Sequence, residues 1–557
     1  TVPPTRSMAA HGDAPPPLAA PPAVASATLF GRRLPDALMP LGSSVFRMLW
    51  LAWATANLTM WMNDVAAAWL MTQLTDSVLL VALVQAASTA PMFLLGLPSG
   101  ALADILDRRR YFAVTQLWVA AVALVLALLA SLDALGPASL LALTFANGIG
   151  LAMRWPVFAA IVPGLVPREQ LSAALGLNAI AMNISRIVGP MAAGALLASL
   201  GNSAVFALNA LLAFGACVLI LRWKGQPHTS TLPGERFVGA MRVGLQHVRQ
   251  SPRLRAILLR VFLFFFQAIA LQALLPLLAK RYGAGAGGYT LLLASLGSGA
   301  VVAALGVSLL RERYTRDQIV RGGTVIQAVM TVLAALSPSL AWTLPALVIA
   351  GMAWISTANT LTMSAQLAVP NWVRARGMAV YQMALMGGNA VGAAFWGQVA
   401  GMTDVPTSLI AAAVVGVLLL ALTWNKTVQG AVEDDLSPVP HLNQPVPAID
   451  VEPDDGPVMV TVEYLIDTER ADAFAAVMDL TRQARLRQGS LSWGLFRDTA
   501  VPGRYIEYFV DESWVEHLRR LERFTAADVQ LRLQRAGFHI GADAPLVRRY
   551  VADQPPR

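Results

Sequence analysis

Residues 107 to 132 read DRRRYFAVTQLWVAAVALVLALLASL: four charges packed together, then a run from Tyr111 to Leu132 with none. A helix over that run, at 1.5 Å per residue, reaches about 33 Å, enough to cross a hydrocarbon core about 30 Å thick. The charged flank then stays on one side. Runs of the same kind recur on both sides of this one, with approximate bounds 46–72, 77–103, 111–132, 138–162, 171–200, 203–222, 256–280, 288–310, 318–336, 340–368, 373–402 and 405–425. The expectation is an all-α membrane protein with twelve transmembrane helices. Composition agrees, since 56% of residues are hydrophobic and 13% charged, against roughly a quarter charged in a soluble domain.

Basic residues are retained on the cytoplasmic side of a membrane. With the N-terminus inside, the cytoplasmic connections hold Arg108, Arg109, Arg110, Arg168, Arg222, Lys224, Arg236, Arg242, Arg249, Arg253, Arg255, Arg311, Arg313, Arg316, Arg374 and Arg376, and the outward ones only Lys280 and Arg281. This alternation keeps phase with twelve spans and puts both termini in the cytoplasm. The net charge of +8 therefore reports topology; nucleic-acid binders gather their basic residues on one exposed face, so no nucleic-acid partner is expected. Cys217 is the single cysteine and lies inside an apolar run, which leaves no disulfide or cysteine metal site and suggests a buried thiol. No cofactor, metal site or catalytic group is expected, and no GxxxxGK[ST] loop is present to use ATP.

The order of the chain divides it further. Residues 1–44 form a Pro- and Ala-rich tail without the compact apolar core of a signal peptide. Residues 45–222 and 256–426 are two six-helix halves joined by a cytoplasmic loop, 223–255. The halves repeat: the stretch from Val166-Pro167 through Gly189 and Gly194 lies on that from Val369-Pro370 through Gly392 and Gly397 at a constant offset of 203 residues. Matched halves suit alternating access, in which one rocks against the other around a central site. A linker, 427–457, leads to a soluble segment, 458–557, whose alternating and helical stretches run β-α-β-β-α-β, a ferredoxin-like order.

Chemistry should concentrate where polar groups enter the spans, because a charge there costs roughly 2.5–3.5 kcal/mol even on gentle scales. Asp64, Arg154 and Arg186 are such groups. Asn57, Trp61 and Asp64 share a helical face. Counting from the cytoplasmic edge puts Asp64 at about 24 Å and Arg186 at about 22 Å, with Arg154 in the cytoplasmic third. Asp64 and Arg186 are therefore the proton-coupling candidates, with a fixed ion pair between them as the rival reading. Arg154, Gln267, Gln272, Asn359, Gln366, Gln382 and Asn389 are further candidates to line a cavity, although interhelical packing suits each lone amide equally well.

Several motifs carry a resemblance. GALADILDRRR, from Gly100, puts Asp104, Asp107, Arg108 and Arg109 at the cytoplasmic end of span two, where glycine permits close packing and the charges can latch one conformation. It resembles the signature loop of the major facilitator superfamily, with Ile105 and Asp107 departing from the usual basic residue and glycine. The segments from Val166 and Val369, and FRMLWLAWATANLTMWMNDVAAAWLMTQLT, resemble the transmembrane secretion effector branch, which includes the enterobactin exporter. Gly189, Pro190 and Gly194 resemble the antiporter motif of export-type members. VMVTVEY, WGLFRD and ESWVEHLRR resemble the antibiotic biosynthesis monooxygenase fold. The resemblance implies a proton-coupled exporter of a drug, siderophore or other secreted metabolite in a bacterial inner membrane. The C-terminal segment would act as a dimerising or regulatory module. An importer, or a tethered enzyme using Trp493, Trp514 and His517, is the alternative.

Overall fold

In the computed structural model, side chains set the starts of several helices. Ser43 accepts from the Phe46 amide, Ser77 from Leu80, Asp107 from Arg110, Thr315 from Gln318 and Asp404 from Thr407, satisfying amides that have no partner within the helix. The structure describes residues 28–29, 32–33, 36–162, 165–167, 170–223, 237–429, 435–436 and 447–553. The expected N-terminal tail lies largely outside them, as do Arg168, Lys224, Arg236, much of the linker, and the surroundings of Gly100 and of the Asp104 side chain.

After a two-residue ladder, β1 (Thr28–Leu29) with β2 (Arg32–Arg33), come α1 (Ser44–Leu74), α2 (Val78–Ile105), α3 (Arg108–Ser131), α4 (Pro137–Ile161), α5 (Leu171–Ser199) and α6 (Asn202–Arg222). The second set is α8 (Pro252–Arg281), α9 (Gly285–Arg313), α10 (Arg316–Leu336), α11 (Leu340–Ala368), α12 (Arg374–Met402) and α13 (Val405–Leu422). Between them lies α7 (Phe237–Arg249), a helix inside the stretch 223–255 that the sequence predicts to be a loop. Its apolar positions are too few and too short in span for a membrane run. Among the described residues, nine helices combine the length and apolarity to cross a bilayer. The long helices outside that set, α1, α4 and α12, carry Asn57, Asn63 and Asp64, then Asn147 and Arg154, then Arg374, Arg376, Gln382 and Asn389.

Outer faces are apolar. On α3, Leu117, Trp118, Leu124 and Leu128 are exposed while Phe112, Val119, Ala123 and Leu126 are buried, so the stripe that faces outward is as greasy as the one that packs inward. Such a surface fits lipid.

The repeat is visible in packing. A side chain at Gly189 on α5 would meet Trp61 of α1, and one at Gly392 on α12 would meet the Phe266 carbonyl of α8, each within its own set. Five residues on, Gly194 faces Thr290 of α9 and Gly397 faces Ala82 of α2, each across to the other set. Small residues let helices approach closely where water provides no driving force. Cores follow the same division. At the α1–α2 end a shared core joins Trp69 and Leu70 to Leu271, Leu275, Leu278 and Tyr289. At the α2–α3 end the cores are separate: Phe46, Trp53, Phe112 and Phe158 in the first set, Val261, Phe264, Leu361 and Tyr381 in the second.

The C-terminal unit runs β3 (Val458–Leu465), α14 (Ala471–Arg487), β4 (Ser492–Arg497), β5 (Arg504–Asp511), α15 (Trp514–Glu522), α16 (Ala526–Ala536) and β6 (Leu546–Val551). The sequence reading missed α16, whose capping box, Thr525 with Asp528, was the available signal. The antiparallel sheet has order β4-β5-β3-β6. The unit is seated on α7 and the α11–α12 turn: Gln246 donates to the Ser490 carbonyl at 2.7 Å, Arg242 pairs with Glu512, and the Arg523 guanidinium lies 5.1 Å from the Trp372 ring.

Candidate functional site

Where the shared core gives way, a cavity opens between the two helix sets. Trp61, Asp64 and Val65 of α1, Gln85 of α2, and Arg186 and Pro190 of α5 line one wall. Gln272 of α8, Tyr289, Leu293, Leu296, Gly297 and Ala300 of α9, and Gly351 and Trp354 of α11 line the other. It holds ≈ 650 Å³ of empty space, its open part included. The sequence places Trp61 and Asp64 three residues apart, so both project from one face of α1.

Asp64 accepts from the Ser88 hydroxyl of α2 at 2.8 Å. Arg186 is held differently. Its guanidinium lies 5.2 Å from the Trp61 ring and 4.4 Å from the Trp354 ring, so one indole from each helix set contributes a cation–π contact. Its Nε and Nη1 are buried without an acceptor. Among the described residues, no ion pair joins Asp64 to Arg186. The fixed salt bridge considered from the sequence is absent in this conformation, because Asp64 faces Ser88 while Arg186 is boxed by tryptophan.

Past the cavity, the α1–α2 end is closed. Trp69 stacks on Tyr289 with ring centroids 6.0 Å apart, and Lys280 donates to the Thr72 carbonyl at 3.2 Å and to Asp76 at 2.9 Å.

The other candidates go elsewhere. Arg154 is fully buried, donates to the Ala56 carbonyl at 2.9 Å and lies 5.2 Å from the Trp53 ring. Asn57 is fully buried with neither amide atom paired. Gln267 is buried against Gly416, Asn389 is buried, Asn359 and Gln382 are half-buried, and Gln366 is exposed. None of them lines this cavity. Gln85, Tyr289 and Trp354 were missed; Gln85 was legible as a polar group within an apolar run, whereas a tryptophan there reads as ordinary core. Of the latch residues, Asp107 caps α3 through the Arg110 amide at 2.8 Å, and Arg109 donates to the Leu221 carbonyl. Gly189, Pro190 and Gly194 lie along α5 as the packing above requires.

In the C-terminal unit the buried acids Glu507 and Asp511 are held by neighbours within the unit. Glu507 accepts from Arg485 at 3.0 Å, and from Trp493 and Tyr464 at 3.1 Å. Asp511 accepts from Ser490, from Arg520 and from His517 Nδ1 at 2.8 Å, while His517 Nε2 accepts from Arg549 at 3.2 Å. Burial pushes the Asp511 carboxyl up, but Arg520 and His517 outweigh it and hold it at about 2. Burial holds His517 below its ordinary value, as its role as acceptor from Arg549 requires. Among the described residues, no group of acidic, histidine and cysteine side chains could hold a metal ion.

The macrolide efflux protein A of Streptococcus pyogenes is 28% identical over 241 residues, 42% of this chain and 59% of that protein. The protein of the same name from Enterococcus faecalis is 31% identical over 196 residues, 34% of this chain and 60% of that one. The matched stretches thus span about three-fifths of these relatives' length. A bacterial homologue of the human lysosomal transporter Spinster, solved in an inward-facing and occupied conformation, superposes with a TM-score of 0.57 at 16% identity, covering 70% of this chain and 97% of that one; the likeness is one of fold. Residues 36–556 match the family described as transmembrane secretion effector, a match that runs through the helices and the C-terminal unit alike. This chain therefore belongs to the transmembrane secretion effector family, membrane transporters of the major facilitator class and not enzymes.

Proposed function

We propose that the protein is a secondary active exporter of small molecules in a bacterial inner membrane, exchanging substrate for protons by alternating access. The observation that carries this reading is the cavity between the helix sets, closed at the α1–α2 end, with Asp64 and Arg186 facing it unpaired to each other. In this reading α1–α6 and α8–α13 are twelve crossing helices, both termini are cytoplasmic, and the α2–α3 end is the cytoplasmic one. The separate cores there suit an inward-facing state. A carboxylate that shares a cavity with an arginine changes its affinity for a proton as either side opens. The names of the macrolide efflux relatives support export over import. The test is transport in proteoliposomes with an imposed pH difference and a panel of drugs and metabolites: substrate should move against its gradient in exchange for protons. Movement only with the proton would make the protein an importer.

The C-terminal unit is read as a ferredoxin-like module for dimerisation or regulation. Its sheet leaves Met459, Phe496, Leu546 and Tyr550 exposed on one face, and an uncovered apolar sheet face is suited to a second copy. Cross-linking of the full chain through cysteines placed on that face, against a chain lacking residues 458–557, tests it.

A further inference from the structure

Arg186 is the one cavity residue whose surroundings specify a ligand's chemistry. Trp61 and Trp354 lie against the guanidinium from the two helix sets, and its N–H groups remain to bind an acceptor. Nε and Nη1 are buried and have no acceptor, and among the described residues no carboxylate lies within ion-pair distance of it. Asp64, the acid of the same cavity, is engaged by Ser88. A buried, unpaired guanidinium costs several kcal/mol in desolvation, which only a counter-charge with good hydrogen bonds offsets. Apolar walls adjoin it, Leu293 and Leu296 among them.

We propose that this cavity is a subsite for the anionic group of an amphiphilic organic substrate, with the rim N–H groups of Arg186 as its partners and the apolar wall of α9 receiving the uncharged body. The inference rests on the export reading above and adds the substrate's class to it. A planar carboxylate matches the guanidinium edge with two parallel hydrogen bonds, each charge-assisted and roughly twice as strong as a neutral one. Because Trp61 and Trp354 belong to different helix sets, an anion there is held at the seam that must part during transport.

The experiment uses the full chain in detergent micelles and follows tryptophan fluorescence as naphthoate or the uncharged naphthamide is added. Naphthoate should bind at least about tenfold more tightly than naphthamide, as one charge-assisted bond implies. Arg186→Gln should abolish that preference, weakening naphthoate by at least about tenfold and naphthamide by less, and Arg186→Lys should restore part of it. Equal affinity for the two compounds in the unaltered protein, or a preference that survives Arg186→Gln, overturns the proposal. If the Gln variant does not fold, the ratio in the unaltered protein decides alone. The two readings fail separately: pH-driven export of a cationic dye without any carboxylate preference removes the subsite, whereas carboxylate preference without pH-driven movement of any panel compound removes export.

Discussion

The helical region and the C-terminal unit bury charges in opposite ways. In the unit, buried charges are paired with their opposites: Arg485 with Glu507 at 3.0 Å, Arg520 with Asp511 at 2.9 Å. In the helical region, Arg154 and Arg186 have tryptophan rings and at most a carbonyl, and Asp64 has a serine. Completed networks rigidify. Charges left open in a low-dielectric setting are costly and are therefore expected where something mobile, a proton or a ligand, completes them in turn. The contrast separates what holds this protein together from what it works with.

The sharpest way to break that contrast is to remove a member of a completed network. Asp511→Ala strands Arg520 and removes the partner of His517, and should cost about 3–5 kcal/mol, as breaking buried pairs does. Hydrogen exchange on the full chain should then show lost protection across β3, β5 and α15, with the helices α1–α6 and α8–α13 unchanged. Retained protection would mean the network is not structural.

Asp64→Asn is the matching change on the other side. The amide oxygen can still accept from Ser88, so the folded protein should be recovered at normal yield, with stability altered by less than about 1 kcal/mol. Gradient-driven accumulation should fall more than about tenfold while exchange of substrate persists. Undiminished accumulation would take Asp64 out of the coupling step.

How far each region was legible follows from the same chemistry. Apolar run length was enough to find the long helices, because lipid demands long uninterrupted apolar runs and tolerates no alternative backbone. The 203-residue offset even located Gly189 and Gly194 together with their counterparts at Gly392 and Gly397. What stayed hidden was pairing. Depth counting brought Asp64 and Arg186 to similar heights but says nothing of rotation about each helix axis, which is why Ser88 and Trp354 could not be anticipated as their neighbours. The amides Gln267 and Asn389 have the same sequence signature as a cavity residue and pack between helices instead. In the soluble unit α16 went unseen because Ala526–Ala536 is polar on most of its surface.

Conformation offers a smaller, sharper test. A methyl group at Gly194 would overlap the Thr290 side chain across the α5–α9 seam, whereas Gly189 packs within its own set. Gly194→Ala should push the seam apart and raise labelling of cysteines at the α1–α2 end by about tenfold or less, equivalent to roughly 1.4 kcal/mol. Unchanged labelling would show that Thr290 rotates away and the seam absorbs the methyl.

The smallest effect concerns acidity at the junction of the two regions. Burial, and then Arg487, push His247 of α7 down to about 4 from 6.5. A neutral imidazole buried there must take up a proton when exposed, so its contribution is complete above pH 6.5 and is lost as pH falls from there toward 4. The slope cannot exceed about 1.4 kcal/mol per pH unit for one proton. Exchange protection of α7 should decline across that window, and His247→Phe should flatten the decline.

The seating of the C-terminal unit on α7 and the α11–α12 turn has a practical reach. Through Gln246 with Ser490 and Arg523 with Trp372, the unit is fastened to the second helix set as a handle is fastened to one blade of a pair of shears. A fluorophore on its exposed sheet, paired with another at the α2–α3 end of the first set, would read the opening angle of the transporter from outside the bilayer, without a label in the translocation path.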